Sequence, residues 1–313
     1  MRKLLTLTCA LMLVSSMAFA KRIPASASSK TPADLVPFPD AGKGWVTLDI
    51  GSNGNVFKPA AQGQEKVKTR NTSVTPSVIY AFNSNIAATF DIGFVTGKAP
   101  SVEGDAKNKV TGITNPTIGV VYRVLDSAKN GNDLNIGLSV SPTFGKKVLK
   151  KKSNANAVQK SNAISGQNVI AFDVAWSKNI SDFVIGAEFG FTYKGQQKVK
   201  DKDQDPVEVD KYKATRDINL GINAQYKGVN KLVLTTGIDY TKYGKLKEKG
   251  AVGVAYKSFG QFALGLGANY NVCKNTYLGV NWDHAFKATV KDNDGKLGKV
   301  SGDSFGIGAT YQF

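Results

Sequence analysis

The chain closes on Ser304-Phe305-Gly306-Ile307-Gly308-Ala309-Thr310-Tyr311-Gln312-Phe313. Phe305, Ile307, Ala309, Tyr311 and Phe313 are apolar, and the residues between them are small or polar. A β-strand sends alternate side chains to opposite faces, so this spacing predicts a strand with one apolar and one hydrated face. Upstream, the same period of two returns at 45–51, 73–82, 86–94, 117–124, 134–141, 170–177, 183–193, 217–226, 232–241, 261–271 and 278–288. With the terminal strand these make about twelve. In almost every segment the second face is Gly, Ser, Thr, Asn or Asp.

A final strand that alternates in this way and stops on Phe313, with Tyr311 before it, resembles the C-terminal signal of bacterial outer-membrane β-barrels. The resemblance implies that barrel-assembly machinery reads Phe305, Ile307, Ala309, Tyr311 and Phe313, and that the sheet closes on this strand. It points to the class and to no particular member. The expected fold is all-β: a closed antiparallel transmembrane β-barrel of about twelve strands, with short periplasmic turns and longer extracellular loops.

The connections agree with that expectation. Short ones lie at 83–85, 179–182, 228–230 and 273–275; long ones at 52–71, 98–109, 146–166, 198–208, 244–257 and 291–298, with 125–133 intermediate. Aromatic residues of the apolar face, among them Phe82, Tyr122, Trp176, Phe183 and Tyr226, gather beside the short turns, where a membrane interface suits them. No apolar run reaches the roughly 18 residues of a transmembrane helix after the leader. A soluble β-sandwich would also alternate, but the uniformly small, polar second face and the short-long rhythm of the connections count against it.

Three regions are expected. Residues 1–20 read as a secretory signal: Arg2 and Lys3, an apolar core, and Ala18-Phe19-Ala20 as the cleavage site. Residues 21–43, with Pro24, Pro32, Pro37 and Pro39, read as an extended periplasmic lead-in, and 44–313 as the barrel. Downstream of the signal only Cys273 remains, so no internal disulfide is expected.

Strand parity assigns Asp49, Asp91, Asp173, Glu188, Asp217, Asp239 and Asp283 to the hydrated face, with Arg123 and Lys287 among the cations opposing them. They would form a charged constriction, or simply keep a water-filled lumen wet. The formal net charge is +17, and Lys146, Lys147, Lys150, Lys151 and Lys152 make the densest basic run. Such a vestibule would draw in anions or meet lipopolysaccharide. Nucleic acid is not expected as a partner, because the basic residues sit in separate loops with no module that presents a basic stripe interleaved with aromatics.

His284 is the one histidine. Asp283 beside it points to the opposite face, and Trp282 and Phe286 share its own face, so His284 reads as lipid-facing and not catalytic. Asp201-Lys202-Asp203-Gln204-Asp205 and Asp292-Asn293-Asp294-Gly295 lack the spacing and distal Glu of a calcium loop. No metal, cofactor or enzymatic activity is expected. The function expected is passive diffusion of small hydrophilic, possibly anionic, solutes across the outer membrane. The alternative is a structural or adhesive surface barrel whose basic loops bind host or lipopolysaccharide ligands. Expected partners are outer-membrane lipid and lipopolysaccharide, the assembly machinery and small solutes.

Overall fold

The structure is a computed structural model that describes residues 34–60, 66–100, 107–145, 147–150, 160–163, 166–201, 209–247, 256–292 and 295–313. Its elements are β1 (Gly44–Pro59), β2 (Val67–Ala81), β3 (Ile86–Asp91), β4 (Phe94–Pro100), β5 (Lys107–Ile113), β6 (Thr117–Leu125), α1 (Ser127–Asn130), β7 (Asn132–Ser141), β8 (Lys147–Lys150), β9 (Lys160–Asn162), β10 (Val169–Ile180), β11 (Phe183–Lys194), β12 (Gln197–Asp201), β13 (Val209–Tyr212), β14 (Thr215–Val229), β15 (Leu232–Tyr243), β16 (Phe259–Cys273), β17 (Thr276–Lys291) and β18 (Lys296–Gln312).

These pieces make a closed antiparallel barrel of 12 strands plus 2 extra strands. β3 and β4 form one wall strand interrupted at Ile92 and Gly93, and β5 and β6 form another, tied across the break by Thr114 N donating to Gly93 O at 2.7 Å. β12 and β13 carry β11 and β14 onward in register beyond the wall, and β8 and β9 pair beside them. The seam joins first and last strands from Trp45 opposite Gln312 to Pro59 opposite Gly298. At its end Gly44 N donates to Phe313 O at 3.1 Å and Phe313 N to Gly44 O at 3.0 Å. A Cβ at Gly44 would lie 2.7 Å from the Phe313 ring, so glycine is required where the terminal aromatic folds over β1.

One end of the barrel has short turns. Ser181 (φ 54°) and Lys231 (φ 63°) supply the left-handed residue in two of them. The intermediate connection holds α1, capped by Asp126 accepting from Ala128 N at 3.1 Å and ended by Gly131 at φ 69°.

The outer face matches the alternation. Leu48, Ile50, Ile118, Val120, Leu138 and Ile222 are all exposed. A protein in water would bury such residues; here they form an apolar belt.

The strands outrun the alternation at the other end. β1 continues to Pro59, β4 to Pro100 and β18 begins at Lys296, all inside stretches expected as loops. Beyond the hydrocarbon neither face meets lipid, so the apolar-polar rhythm lapses while backbone pairing goes on.

The lead-in also departs from expectation. Residues 1–33 lie outside the described residues, but Asp34, Leu35, Val36, Phe38 and Pro39 are buried inside the barrel at the short-turn end. Leu35 and Val36 pack on Val184 of β11, and Phe38 packs with Ala81, Ala87 and Val121. The segment therefore follows the inner wall instead of trailing outside. Proline rules out a helix there, yet an extended strip needs none, and its apolar residues find inward-facing small side chains to cover.

Candidate functional site: the barrel interior

Three zones stack along the interior. At the short-turn end, Lys227 of β14 pairs with Asp34, Asn135 Nδ2 donates to Pro37 O at 3.2 Å, and Arg123 donates to Phe38 O at 2.9 Å. The Arg123 guanidinium also lies 4.1 Å from the centre of the Phe38 ring. Arg123 thus anchors the N-terminal segment to β6 by a charge-assisted bond and a cation–π contact. Arg123 lies on the inner face and holds the N-terminal segment there.

The middle zone is polar. Asp49, Asn219 and Asn281 point inward by strand parity and are nonetheless exposed, so the middle encloses accessible space. Glu188 and Asp239 flank Gly221 on one cross-strand row. A Cβ on Gly221 would sit 2.6 Å from Asp239 Oδ1 and 3.6 Å from Glu188 Cβ, and Asn223 Nδ2 donates to Glu188 at 2.7 Å. Asp173 lies between Gly137 and Gly190, and Asp49 lies over Gly308. Polar side chains repeatedly lie flat over the glycine of the next strand: Asn269 covers Gly279 and Asn281 covers Gly306 in the same way. Sequence reasoning saw the glycines as small and wet. Their use is geometric: each missing Cβ lets a neighbouring carboxylate or amide lie along the wall, which widens the bore.

Asp91 faces Ser77 and Thr117 across its neighbours, and Asp283 accepts from Ser304 Oγ at 3.1 Å. Toward the long-loop end, Asp217 is buried against Lys194 and also accepts from Gly244 N at 2.9 Å. The inner-face cations among the described residues, Arg123, Lys194 and Lys227, therefore sit toward the two ends, whereas Asp49, Asp173, Glu188 and Asp239 occupy the middle.

Lys287 is a correction. β17 carries one residue more than β18 between Ala285 and Ala288, so parity reverses there. Ala288 and Val290 turn into the interior and Lys287 goes to the outer face. Periodicity alone misses a bulge, because each half of the strand alternates correctly by itself.

The third zone is apolar. Phe57, Val67, Tyr256, Phe259, Val290 and Val300 form a buried cluster inside the long-loop end, joined by Tyr212 and Leu246. Leu246 and Tyr256 are joined by mutual backbone bonds, Leu246 N to Tyr256 O at 3.0 Å among them. Burial, with Asp217 as the second cause, pushes the Tyr256 phenol above its ordinary range. Sequence reasoning missed this cluster because Phe57, Val67, Leu246 and Tyr256 lie in expected loops and the others at or beyond the ends of the expected strands. Of the basic run, Lys147 and Lys150 lie in β8, while Lys146, Lys151 and Lys152 fall outside the described residues.

His284 has a partner that single-strand reasoning could not see. Asp303 lies directly opposite on β18, with His284 Nδ1 2.8 Å from Asp303 Oδ1; Trp282 stacks on the ring and Phe286 meets it edge-on. The pair is on the outer face. The Phe305, Ile307, Tyr311 and Phe313 side chains are exposed there too, on the strand that seals the seam.

No protein-family model and no curated protein matches the chain. Among solved structures, an outer membrane channel from Pseudomonas putida F1 superposes with a TM-score of 0.63 at 10% identity, covering 88% of this chain and 97% of that one. The fold is that of the bacterial outer-membrane β-barrels. Two further matches say the same. The translocator domain of the autotransporter NalP from Neisseria meningitidis gives a TM-score of 0.57 at 13% identity over 88% of this chain and 90% of that one. The transport unit of the autotransporter AIDA-I from Escherichia coli gives 0.57 at 12% identity over 98% and 97%. The likeness supports an outer-membrane location.

Proposed function

We propose that this barrel is a passive channel for small hydrophilic solutes at the cell surface, reached by export with removal of residues 1–20. The observation that carries the reading is the accessible polar middle zone, where Asp49, Asn219 and Asn281 face space inside a closed wall. A structural barrel would be better served by a packed interior. The channel reading accords with the printed description of the Pseudomonas putida protein as an outer membrane channel.

Selectivity follows from the zoning. The mid-barrel carboxylates favour cations in the bore, while the basic extracellular connections concentrate anions at the mouth, the role expected for Lys146 to Lys152. The apolar cluster acts as the gate, since an apolar constriction passes ions only when wetted. No step of this function is enzymatic. Planar-bilayer recording of refolded protein tests it: stepwise conductance that rises on Phe259→Ser is expected, and a silent membrane with both proteins overturns it. The alternative, a structural or adhesive surface barrel, draws support from the packing at both ends. Loop-dependent binding to cells without conductance would favour it.

A further inference from the structure

The ring of strands closes, yet its backbone bonding lapses in one sector of the lipid-facing wall. Asp91 opposes Thr117 and Phe94 opposes Ile113, which leaves Ile92 and Gly93 facing Thr114, Asn115 and Pro116. The extra residue makes a bulge. Among the described residues, Thr114 N to Gly93 O is the one backbone bond between these two runs, and Gly93 N turns to Thr114 Oγ1 at 3.0 Å. On the other side Ile92 N donates to Pro76 O at 3.2 Å, and Pro76 has no N–H to return. Past the bulge the wall is thinner still. β5 pairs with β9 up to Thr111, and β6 pairs with β7 from Ile118, so the far edge of 112–116 has no strand partner among the described residues. The ladder of β7 with β10 ends at the same level, with Ser141 opposite Val169, and Pro142 follows.

This lapse lies inside the apolar belt. Phe90 and Ile118 on its short-turn side and Phe94 and Ile113 on its long-loop side are all exposed. Proline withholds a donor and is confined in sheets to edges and bulges, yet Pro76, Pro116 and Pro142 all border the lapse. The remaining prolines of the described wall strands, Pro59 and Pro100, stand at strand ends toward the long loops. Irregular backbone at membrane depth persists only where protein buries it or water reaches it. The inner side here is hydroxylated. A Cβ on Gly93 would lie 3.0 Å from Thr114 Oγ1 and 3.2 Å from Thr75 Oγ1, and the Thr117 and Ser141 hydroxyls bond each other at 2.6 Å. Across the gap itself, Asn115 Nδ2 donates to Gln167 O at 3.2 Å. Lumen water meets this backbone from within, and lipid meets it from outside.

We propose that this sector is a lateral portal, through which a small amphipathic molecule passes between the lumen and the surrounding lipid. The apolar body of that molecule lies among Phe94, Ile113 and Ile118, and its head group exchanges hydrogen bonds with Thr114, Asn115 and Thr117. Asp91, on the inner face opposite Thr117, disfavours an anionic head. The class that fits is a neutral medium-chain alcohol. The portal rests on the water-filled lumen of the channel reading and adds a second route, sideways through the wall.

The test uses the full chain in liposomes carrying a photoactivatable decanol, with labelled residues mapped by mass spectrometry. Labelling of Thr114 and Thr117 should exceed that of Asn219 and Asn281, inner-face residues away from the lapse, by about threefold or more. Pro76→Val returns a donor to Ile92 O and should cut that labelling about threefold or more, with conductance unchanged. Heat-modified gel migration reports folding; if Pro76→Val does not fold, the labelling pattern of the unaltered protein decides. Equal labelling of the four positions, labelling confined to lipid-facing residues such as Ile113 and Ile118, or unchanged labelling in folded Pro76→Val overturns the proposal. Equal labelling by the matched decanoate overturns its neutral head group. Conductance is recorded alongside. A silent membrane with the labelling pattern intact fails the channel reading alone, whereas stepwise conductance with uniform labelling fails the portal alone.

Discussion

At the scale of single residues, the inner wall separates two kinds of charge. Lys194 and Asp217 are buried against each other, so neither can lose its partner without leaving an uncompensated charge. Lys194→Met is expected to destabilise the barrel by about 3–5 kcal/mol, and adding Asp217→Leu should recover most of it, as read from urea unfolding in detergent. Asp239 is held differently, flat over Gly221. Gly221→Ala would push that carboxylate off the wall, so conductance should fall and cation preference rise with little loss of stability, measured as reversal potential under a salt gradient. Parity assigns Asp239 and Asp217 to the same hydrated face. It could not tell a wall-lying carboxylate from a buried ion pair, because that depends on what the adjacent strand lacks.

At the scale of elements, the N-terminal segment matters most. Phe38 is 1% exposed and fills a niche of small residues from β2, β3 and β6. Phe38→Ala should cost about 3–5 kcal/mol of its docking and free the segment from Arg123. Protease cleavage ahead of β1 and a larger unitary conductance are the expected readouts; unchanged protection would show that the segment is held elsewhere. In the sequence this segment was legible only as extended and proline-rich. Nothing local says that Leu35 and Phe38 face a wall formed by residues far downstream. The same limit hid the β17 bulge, which moved Lys287, and the Asp303 partner of His284, since register between strands is a property of pairs.

At the scale of the whole molecule, the lipid did most of the writing that could be read. Wherever hydrocarbon touches the wall, as at Ile50, Ile118 or Leu138, alternation announces the strand, and the closed fold follows. Above that level the interior turns apolar around Phe57, Phe259 and Val300, and the code falls silent. Tyr256 gives that region a pH dependence. A phenol raised by burial contributes its full stabilisation below the ordinary tyrosine pKa near 10 and loses it as pH climbs through the raised value. Conductance should therefore increase in strongly alkaline buffer, and Tyr256→Phe should abolish the increase. The mutual bonds of Gly44 and Phe313 have a different consequence. Because the first wall strand begins beside the end of the last, a short glycine bridge from Phe313 to Gly44 in a chain without residues 1–43, with a new opening at 83–85, would give a circular permutant with the same cylinder. It would refold from urea in detergent yet go unrecognised in the cell, its address now buried mid-chain.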